Sequence, residues 1–558
     1  MKKVWKVKQI FSMLLIITMV ASLSACGSKK DTKETSGTTE TNTSTAKTEE
    51  TSGEPVNLAY EPYEEELTIT IGRLASQHTA STLYKGDTFE NNPYTRYVKE
   101  KLNISFKDVI EADGDDYKNQ IALATASGDI PEMFTVTNYD TLVDLVENDL
   151  IYDMTEYYDK YASDYYKSLY DSYDGRTVDM VTFDGKMMAL PGTNADNSVP
   201  VLCWVRKDWL DKLNLNPDED GDLCITVEDI EKVAKQFVDS DVSGNGTIGI
   251  SLSDGVGDSE CFANANGGYV DKWIDNGDGT VSWSTLLDPQ FGTRTYDDVT
   301  SLLIDNKLGI TFGAWHMPDW RFSHVKDAHP EAEYIAYTVK DSKGIVNTFH
   351  ENNASNFVVV KKGYEHPEAA VKIMNVIYDD LARATKETAP EVMKFVTDGG
   401  DNFTRPFQLE CLPSNTPQTY FEEHQAVLNG EMTPEQTTTA ENKNTSTAMM
   451  EYLKDPKNVT EDTRAGWAAY NSRIVGLGAS IGALQANGNS DWMSPLYPPT
   501  LPTMEQKKAA LDTLELKAYI KIVTGEEPIN YFDQFVEDWN SFGGEEIINE
   551  LQEYYTNR

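Results

Sequence analysis

The sequence has 558 residues, of which 91 are acidic and 48 are lysine or arginine, and its formal net charge is −43 at pH 7. A chain of this length can bury two or three domain cores. Its acidity argues against nucleic acid and anionic lipid as partners, because both are bound through clustered lysine and arginine. The five cysteines include no CxxC pair, so they indicate neither a disulfide framework nor a zinc site.

The N-terminus has the layout of a signal peptide over residues 1–25. Four lysines precede an apolar run at residues 10–21, which is shorter than the roughly 20 residues that a membrane span requires. The segment ends in LSAC, which resembles a bacterial lipobox. The resemblance implies that the mature chain begins at Cys26, carries a lipid on that thiol, and is held on the outer face of the cytoplasmic membrane. The alternative is a plain secretory peptide with a chance cysteine.

The next segment, residues 26–64, is predicted to be a flexible tether. As far as about Glu54 it consists almost entirely of Ser, Thr, Gly, Lys and Glu, so it has too few apolar side chains to offset the entropy of ordering. No later segment has the length and apolarity of a transmembrane helix. We therefore expect the protein to contact the membrane through its lipid anchor only.

The predicted folded region begins with an alternating strand pattern at residues 65–71. Helix and strand patterns then alternate, over residues 94–102, 103–106, 117–126 and 132–136. This order of strand, helix, strand, helix and strand predicts an α/β fold with a mostly parallel sheet. A later strand at 356–360 precedes a helix beginning near Pro367, and the chain ends in predicted helices at 504–524, 531–542 and 545–555.

Five motifs, taken in their order along the chain, resemble one protein family. They are ASGDIPEMF at 126–134, FDGKMMALP at 183–191, WVRKDWL at 204–210, GAWHMPDW at 313–320 and the segment 498–504. Together they resemble the maltodextrin-type family 1 of bacterial extracellular solute-binding proteins, in particular its long Gram-positive lipoprotein branch. The resemblance extends from about residue 66 to the end.

The resemblance implies a two-lobed, periplasmic-binding-protein-like fold with a ligand cleft between the lobes and C-terminal helices. The expected divisions are lobe one at 65–185 plus 350–400, lobe two at 186–349 plus 401–500, and a C-terminal helical segment at 501–558. The chain is expected to cross between the lobes near 183–191 and again near 344–353. Loops at the carboxyl ends of strands from both lobes would then surround the cleft.

The resemblance also implies a function without catalysis: a monomeric, lipid-anchored protein that captures an oligosaccharide and delivers it to an ABC permease. Two alternatives remain open. A lipid-anchored glycoside hydrolase needs only a pair of carboxylates across a sugar cleft, and 91 acidic residues cannot exclude such a pair. A peptide-binding lipoprotein would rely on backbone-like hydrogen bonds and on capture of terminal charges.

Sugar recognition needs aromatic faces for the apolar side of a pyranose and planar polar groups for its hydroxyls. Trp315 and Trp320 flank a proline-containing loop after a strand-like segment, and they match the family's aromatic ligand loop. For each tryptophan the alternative is core packing. The candidate ligand-binding residues are Trp315, Trp320, His316, Asp319, Trp204, Arg206, Arg73, Gln77, Glu351, Asn352, Trp467 and Trp492.

The sequence implies no cofactor beyond a structural calcium ion. Oxygen-bearing residues alternate with glycines in one loop, a spacing that suits hard cations, and the candidate ligands are Asp239, Asp241, Ser243, Asn245 and Thr247. The alternative is a glycine-rich turn between a helix and a strand. A second acidic loop, at 218–222, also resembles an EF-hand, but Asp229 misses the final ligand position in the register set by Gly221.

Two motifs typical of enzymes fail their structural requirements. Residues 244–249 satisfy the dinucleotide-binding pattern but follow acidic and polar residues where a buried strand is required. Residues 478–482 satisfy the nucleophile-elbow pattern around Ser480, which calls for a later histidine, and the last histidine of the chain is His424. The sequence therefore predicts a binding protein and not an enzyme.

Overall fold

The structure is a computed structural model that describes residues 57–195, 199–252, 256–284, 295–354 and 356–557. The predicted signal peptide, Cys26 and the predicted tether as far as residue 56 lie outside the described residues. Among the helices that are described, none combines the length and the apolarity needed to cross a membrane. The four cysteines of the described ranges are free and buried.

The described residues form sixteen strands. In chain order they are β1 (Leu67–Leu74), β2 (Ile104–Ala112), β3 (Met133–Val136), β4 (Thr182–Phe183), β5 (Lys186–Met187), β6 (Leu190–Pro191), β7 (Leu202–Arg206), β8 (Cys224–Ile225), β9 (Ile248–Ile250), β10 (Lys272–Asp275), β11 (Val281–Ser284), β12 (Leu308–Gly313), β13 (Tyr334–Val339), β14 (Val346–Phe349), β15 (Phe357–Val360) and β16 (Ser490–Met493).

Lobe one is built on a five-stranded sheet with the order β2-β1-β3-β15-β6. β1 pairs in parallel with β2 and β3, whereas β15 pairs antiparallel with β3 and β6. Every residue of β3 and β15 is buried, as expected of apolar strands covered on both faces. The predicted alternation of strands and helices in this region is confirmed, and the fold is α/β.

Helices pack around this sheet, and their ends follow ordinary capping chemistry. The Asn92 side chain accepts from the Tyr94 and Thr95 backbone amides, and Pro93 occupies the first helical position, so the helix begins where the sequence predicts. Asn103 ends it in the left-handed region at φ 58°. The α-helices of lobe one are Gln77–Ser81, Pro93–Leu102, Gly114–Ser127, Tyr139–Glu147, Thr155–Tyr161, Asp164–Asp171, Arg176–Asp179, Glu368–Asn375 and Pro390–Thr397, and Val376–Asp380 is a π-helix.

Lobe two is built on a second five-stranded sheet with the order β8-β13-β7-β12-β9. β7 is central and pairs antiparallel with both β12 and β13. Its helices are Lys207–Leu213, Val227–Asp239, Val256–Ala265, Tyr296–Ile304, Met317–Ala328, Thr416–Leu428, Ala440–Tyr452, Arg464–Tyr470 and Ala483–Asn487, with π-helices at Asn471–Gly476 and Gly478–Gly482. The two lobes of the predicted fold are therefore each centred on one sheet.

Crossing segments connect the two sheets. The sequence expectation placed the first crossing at 183–191, but β4 and β5 form a hairpin and β6 still pairs within the lobe-one sheet. The first crossing therefore follows Pro191 and runs to β7. It lies beside the second crossing, between β14 and β15, since the Asn194 amide donates to the Asn353 carbonyl at 2.9 Å.

The folded body begins earlier than the sequence suggests. Residues 57–64 were assigned to the tether, yet two tyrosines in this segment anchor it on lobe one. The Tyr60 hydroxyl donates to Asp379 at 2.5 Å, and the Tyr63 hydroxyl donates to Glu368 at 2.8 Å. Tyrosine rings bury area while their hydroxyls find partners, which offsets the entropy of ordering this short segment.

The chain ends in the predicted helices, at Pro502–Val523, Tyr531–Trp539 and Glu545–Asn557, with a π-helix at Asn540–Gly544 between the last two. They pack on the β10–β11 hairpin through three tryptophans. The Trp273 and Trp283 rings stack with centroids 4.7 Å apart, and Trp283 lies 5.3 Å from Trp539. Just before these helices, the Thr500 amide donates to the Asp140 carboxylate of lobe one at 2.8 Å.

Candidate functional site: a cavity at the crossing segments

The carboxyl ends of strands from both lobes adjoin the crossing segments. In lobe one, β6 ends at Pro191, where the first crossing begins. In lobe two, Gly313 at the carboxyl end of β12 pairs with Leu202, the first residue after that crossing. Ligands of open α/β sheets bind at such edges. The candidate site is therefore sought around the crossings.

A cavity of about 1150 Å³ lies elsewhere, on lobe two between Val227–Asp239 and Val256–Ala265, and its lining is mostly apolar. The cavity at the crossings has a volume of about 670 Å³, within the usual range for small-ligand sites. Residues from lobe one, from the second crossing and from the segment before the C-terminal helices line it. They include Arg176, Asp179, Met180, Asp184, Glu351, Asn352, Asn353, Ser494, Leu496 and Tyr497, together with Asp275 and Tyr555. We call this the crossing cavity.

Two of the predicted ligand residues, Glu351 and Asn352, line the crossing cavity. Burial raises the pKa of the Glu351 carboxyl, and the positive charge of Lys272 offsets part of that rise. The Tyr497 hydroxyl donates to the His350 carbonyl at 2.8 Å and so joins the C-terminal segment to the second crossing. Burial raises the pKa of Tyr497, so this phenol stays protonated at neutral pH.

A third predicted residue, Trp492, lies behind the cavity wall. Its ring stacks on His350 with centroids 5.0 Å apart and an interplanar angle of 27°. Burial lowers the pKa of His350, and Arg176 lowers it further, so the imidazole is neutral at pH 7. Trp492 itself lines a neighbouring cavity of about 270 Å³, with Asn415 and Gln418 among its walls. The stacked pair therefore separates two adjacent cavities.

Of the two tryptophans in the predicted aromatic loop, Trp315 lies in the core and Trp320 lies on the surface. Trp315 is only 4% exposed and packs in the lobe-two core, where Arg473 lies 5.5 Å from its ring. A Cβ on Gly476 would approach the Trp315 carbonyl oxygen to 2.5 Å, so a glycine is required there. Of the described residues, none bonds the Trp315 indole N–H.

Trp320 is 40% exposed and lies on the helix Met317–Ala328, not in an extended loop. Its indole N–H donates to the Nδ1 of His316 at 3.3 Å, which fixes the tautomer of that ring. Asp319 pairs with Arg473 at 2.5 Å. The predicted residues 316, 319 and 320 thus form a small polar cluster on lobe two, and the sequence did not show that a helix begins between the two tryptophans.

Four other predicted ligand residues lie in the lobe cores. Arg73 is fully buried and pairs with Asp108 at 2.7 Å. Trp204 and Trp467 belong to the lobe-two core, at 0% and 1% exposure. Arg206 pairs with Asp208 at 2.7 Å and lies at the end of β7 away from the first crossing. The continuous burial of LCWVR in β7 follows from its central position in a sheet covered on both faces.

Gln77, the remaining predicted ligand residue, is exposed on the short helix Gln77–Ser81 that follows β1. The helix is capped by Ser76, whose side chain accepts from the Thr79 amide at 3.0 Å. Gln77 is not among the residues that line the crossing cavity. Tyr497 and Tyr555, which do line it, were missed because they reach the cavity only through the fold of the C-terminal segment.

The predicted calcium loop is satisfied by its own hydrogen bonds. One oxygen of Asp241 accepts from the Gly246 amide at 3.0 Å and from the Thr247 amide at 2.8 Å, and these bonds lower the pKa of the carboxyl. The hydroxyl of Ser243 accepts from the Asn245 amide at 3.1 Å. Asp239 pairs with Lys235 at 2.9 Å. These bonds engage one carboxylate oxygen of Asp241 and the hydroxyl of Ser243 within the loop, whereas Asp239 pairs with a lysine of the preceding helix.

The second acidic loop brings more charge together than the first. Carboxylate oxygens of Asp218, Asp220 and Asp222 lie within 4.8 Å of one another, and Lys340 pairs with the last two at 3.1 and 2.9 Å. Counted from Asp218, Leu223 takes the sixth position at φ 56°, where EF-hands place glycine. In this register Asp229 takes the final position, which the register set by Gly221 does not allow.

The serine of the nucleophile-elbow pattern is buried. Ser480 is 2% exposed within the π-helix Gly478–Gly482, and its hydroxyl donates to the Gly476 carbonyl at 3.2 Å. A catalytic elbow instead exposes its serine at a sharp turn between a strand and a helix. The pattern here therefore belongs to helix packing.

The chain is similar to known proteins both in sequence and in fold. The family model for bacterial extracellular solute-binding proteins matches residues 94–389, more than half of the chain. No curated protein sequence matches it. Three solved structures share the fold: the alginate-binding protein AlgQ2 without calcium ion, a solute-binding protein of *Bifidobacterium longum infantis*, and FusA of *S. pneumoniae*.

AlgQ2 is 16% identical with a TM-score of 0.51, over 89% of this chain and 99% of its own. The *Bifidobacterium* protein, an HMO-binding protein associated with an ABC transporter, is 15% identical with a TM-score of 0.52, over 88% and 98%. FusA in complex with kestose is 14% identical with a TM-score of 0.51, over 88% and 99%. The sequence match and the two-sheet architecture agree, and the chain belongs to the bacterial extracellular solute-binding protein family.

Proposed function

We propose that this protein captures an oligosaccharide in the crossing cavity and delivers it to an ABC permease, with no chemical step of its own. The observation that carries the proposal is the position of the cavity. It is lined by lobe one, by the second crossing and by the segment before the C-terminal helices, so a bound ligand contacts all three. Binding can then favour one arrangement of these parts over another, a difference that a permease can sense.

The lining suits a hydroxyl-rich ligand. Asn352 and Asn353 contribute amide groups to the lining, and Arg176 contributes a planar guanidinium group. Tyr497 and Tyr555 supply aromatic rings that can cover the apolar face of a sugar ring. Polar groups in small number among aromatic and aliphatic walls are the usual composition of a saccharide site.

The similar structures support the saccharide class. They are an alginate-binding protein, an HMO-binding protein, and FusA, which forms complexes with kestose and with fructo-nystose. The identities are too low to carry a particular sugar over to this chain. We propose a monomer. For its lobes we keep the proposed divisions with two changes: the first crossing follows Pro191, and residues 401–411 join lobe one, because Phe407, Leu409 and Cys411 pack in its core.

A calorimetric titration against neutral mono- and oligosaccharides, followed by analysis of the recovered sugar, tests this function. We expect saturable binding with the ligand recovered intact, and a stability gain of about 2.7 kcal/mol at 100 times the dissociation constant. Cleaved sugar would instead identify a glycoside hydrolase. Binding of peptides with no binding of any saccharide would identify a peptide-binding lipoprotein.

We further propose that the protein is anchored outside the cell by a lipid on Cys26, with the segment before residue 57 as its leash. The support is the lipobox-like sequence. The test is membrane fractionation of the wild type and of Cys26→Ser after a carbonate wash. The variant should become soluble and keep the melting temperature of the wild type, because Cys26 precedes the residues that pack on lobe one. A variant that stays with the membrane would contradict the anchor.

The calcium ion suggested for residues 239–247 stays a prediction. Its test is the melting temperature with added calcium and with chelator, in the wild type and in Asp241→Ala. A calcium-dependent rise that the variant loses would place the ion in this loop. A rise that the variant retains would place it elsewhere, and the loop at 218–222 would be the next to test. A melting temperature that changes neither with added calcium nor with chelator would remove the prediction.

A further inference from the structure

The charges around the crossing cavity are unequal. Asp179 and Asp184 come from lobe one, Asp275 from the β10–β11 hairpin and Glu351 from the second crossing. Arg176 is the one lysine or arginine among the residues that line the cavity in the described structure. Four carboxylates therefore face a single guanidinium group, and they come from three separate parts of the molecule.

Local structure holds Asp184 and Asp275 in place. Asp184 lies in the tight turn between β4 and β5 at φ 49°. Asp275 accepts from the Gly277 amide at 2.8 Å. Over the described ranges, no lysine or arginine forms an ion pair with Asp184, Asp275 or Glu351. Of these three carboxylates, Glu351 is partly compensated by the charge of Lys272, and none forms a direct ion pair in the described ranges.

Glu351 is the most enclosed of the three. In the described part of the chain, no group donates a hydrogen bond to its carboxylate. The nearby Lys272 forms an ion pair with Glu260 at 3.5 Å, and its ammonium group lies 4.4 Å from the centroid of the Phe349 ring. A half-buried carboxylate without donors is costly, and a ligand that brings donors removes the cost.

The single guanidinium group does not balance the negative charge of the four carboxylates. Arg176 lies on a helix of lobe one and lines the cavity, and its Nε donates to the Tyr173 carbonyl at 3.1 Å. One cation among four carboxylates gives the cavity a negative potential, and the charge of the whole chain adds to it. A carboxylate or sulfate on the ligand would be repelled there.

Resting on the proposed function, we propose that the crossing cavity selects oligosaccharides without negative charge, and that it binds amino sugars, as ammonium ions, more tightly than their N-acetylated counterparts. The ammonium group would pair with Glu351 and with Asp184 or Asp275, none of which forms an ion pair with a residue that the structure describes. An N-acetyl group offers one amide donor and no charge, so its interaction with these carboxylates contributes less binding free energy. A uronate adds a fifth carboxylate to the same space.

Three matched ligands test the proposal: a glucosamine tetramer, its fully N-acetylated form and a uronate tetramer. They are titrated calorimetrically over a pH series between the ordinary pKa of a glutamate carboxyl, about 4.3, and that of an α-amino group, about 7.7, in low and high salt. We expect the glucosamine tetramer to bind at least about tenfold more tightly than the N-acetylated one, and the uronate to bind most weakly. The glucosamine advantage should shrink at high salt.

Charge-neutral variants locate the effect. Glu351→Gln and Asp184→Asn should each reduce the ratio of glucosamine to N-acetyl affinity severalfold. Asp129→Asn is the matched control and should leave the ratio unchanged. This exposed aspartate precedes β3, so it lies at the amino end of that strand, away from the carboxyl ends that adjoin the crossings. Uronate binding as tight as that of the neutral tetramer would overturn the selection while leaving sugar capture intact. An unchanged ratio in both cavity variants would overturn it too, and failure of every saccharide to bind would remove the proposed function beneath it.

Discussion

Two regions of this protein carry aromatic residues that could contact a sugar, and only the first of them was identified from the sequence. In the first, at residues 313–320, Trp315 is buried under the helices of lobe two and Trp320 is exposed on a helix. In the second, the crossing cavity, Tyr497 and Tyr555 line an open space together with Glu351 and Asn352. The comparison shows that the aromatic residues nearest a ligand need not be the ones in the most conspicuous motif.

The largest expected effect separates the two tryptophans of the first region. Trp315→Ala should cost about 3–5 kcal/mol of unfolding free energy, because it leaves a cavity in a packed core. Trp320→Ala should cost less than about 1 kcal/mol, because much of that ring is exposed. Chemical denaturation of the ligand-free variants measures both values. Equal losses for the two variants would mean that the core and surface assignments are wrong.

The fold could be predicted because its signals are local. The capping residues around Pro93–Leu102 and the apolar run of β15 lie within short stretches of sequence, and both elements are found where they were expected. The cavity could not be predicted in the same way. It joins Asp184, Glu351 and Tyr497, which are far apart in the chain, and only the packing of three segments brings them together.

The direction in which side chains point was the other property that the sequence could not predict. Trp204 and Arg206 lie two residues apart on β7 and were read as cleft residues, but the central position of that strand buries both of its faces. Arg73 at the carboxyl end of β1 faces a buried partner, Asp108 of β2. Strand alternation gives two faces, and it does not show whether helices cover both. Such residues can be assigned only after the layers are known.

The second expected effect concerns affinity. Tyr497→Ala should weaken oligosaccharide binding by about 1–3 kcal/mol, the range for an aromatic anchor, because it removes a ring from the cavity wall. Tyr497→Phe keeps the ring but loses the bond to the His350 carbonyl, so its loss should be smaller. Titration calorimetry measures both, with Trp320→Ala as the control that should bind normally. A control that loses more affinity than Tyr497→Ala would move the site to the first region.

The third effect is a dependence of stability on pH. Burial raises the pKa of Glu351 in the folded state above its unfolded value of about 4.3, so its contribution is fully present below that value and is lost as pH rises through the folded pKa. Glu351→Gln carries no charge at any pH. The ligand-free variant should therefore melt above the wild type at neutral pH, and this difference should fade below about pH 4. A difference that grows on acidification would contradict the burial of this carboxylate.

The smallest effect tests the turn at residues 239–247. Asp241→Ala removes the acceptor for two backbone amides and should lower the melting temperature slightly in the presence of chelator, where no metal contributes. Asp241→Asn keeps one side-chain oxygen and should lose less. Thermal melting of the two variants measures the difference. If both variants melt like the wild type, the hydrogen bonds of this turn contribute nothing measurable.

The central claim is that the ligand binds in the crossing cavity, and hydrogen exchange with and without a saturating oligosaccharide tests it most directly. The account predicts slower amide exchange in the three segments that line the cavity, at residues 176–185, 350–354 and 494–497. Residues 313–320 should change little. Protection confined to 313–320 and to the π-helices at 471–482, with the three cavity segments unchanged, would contradict it.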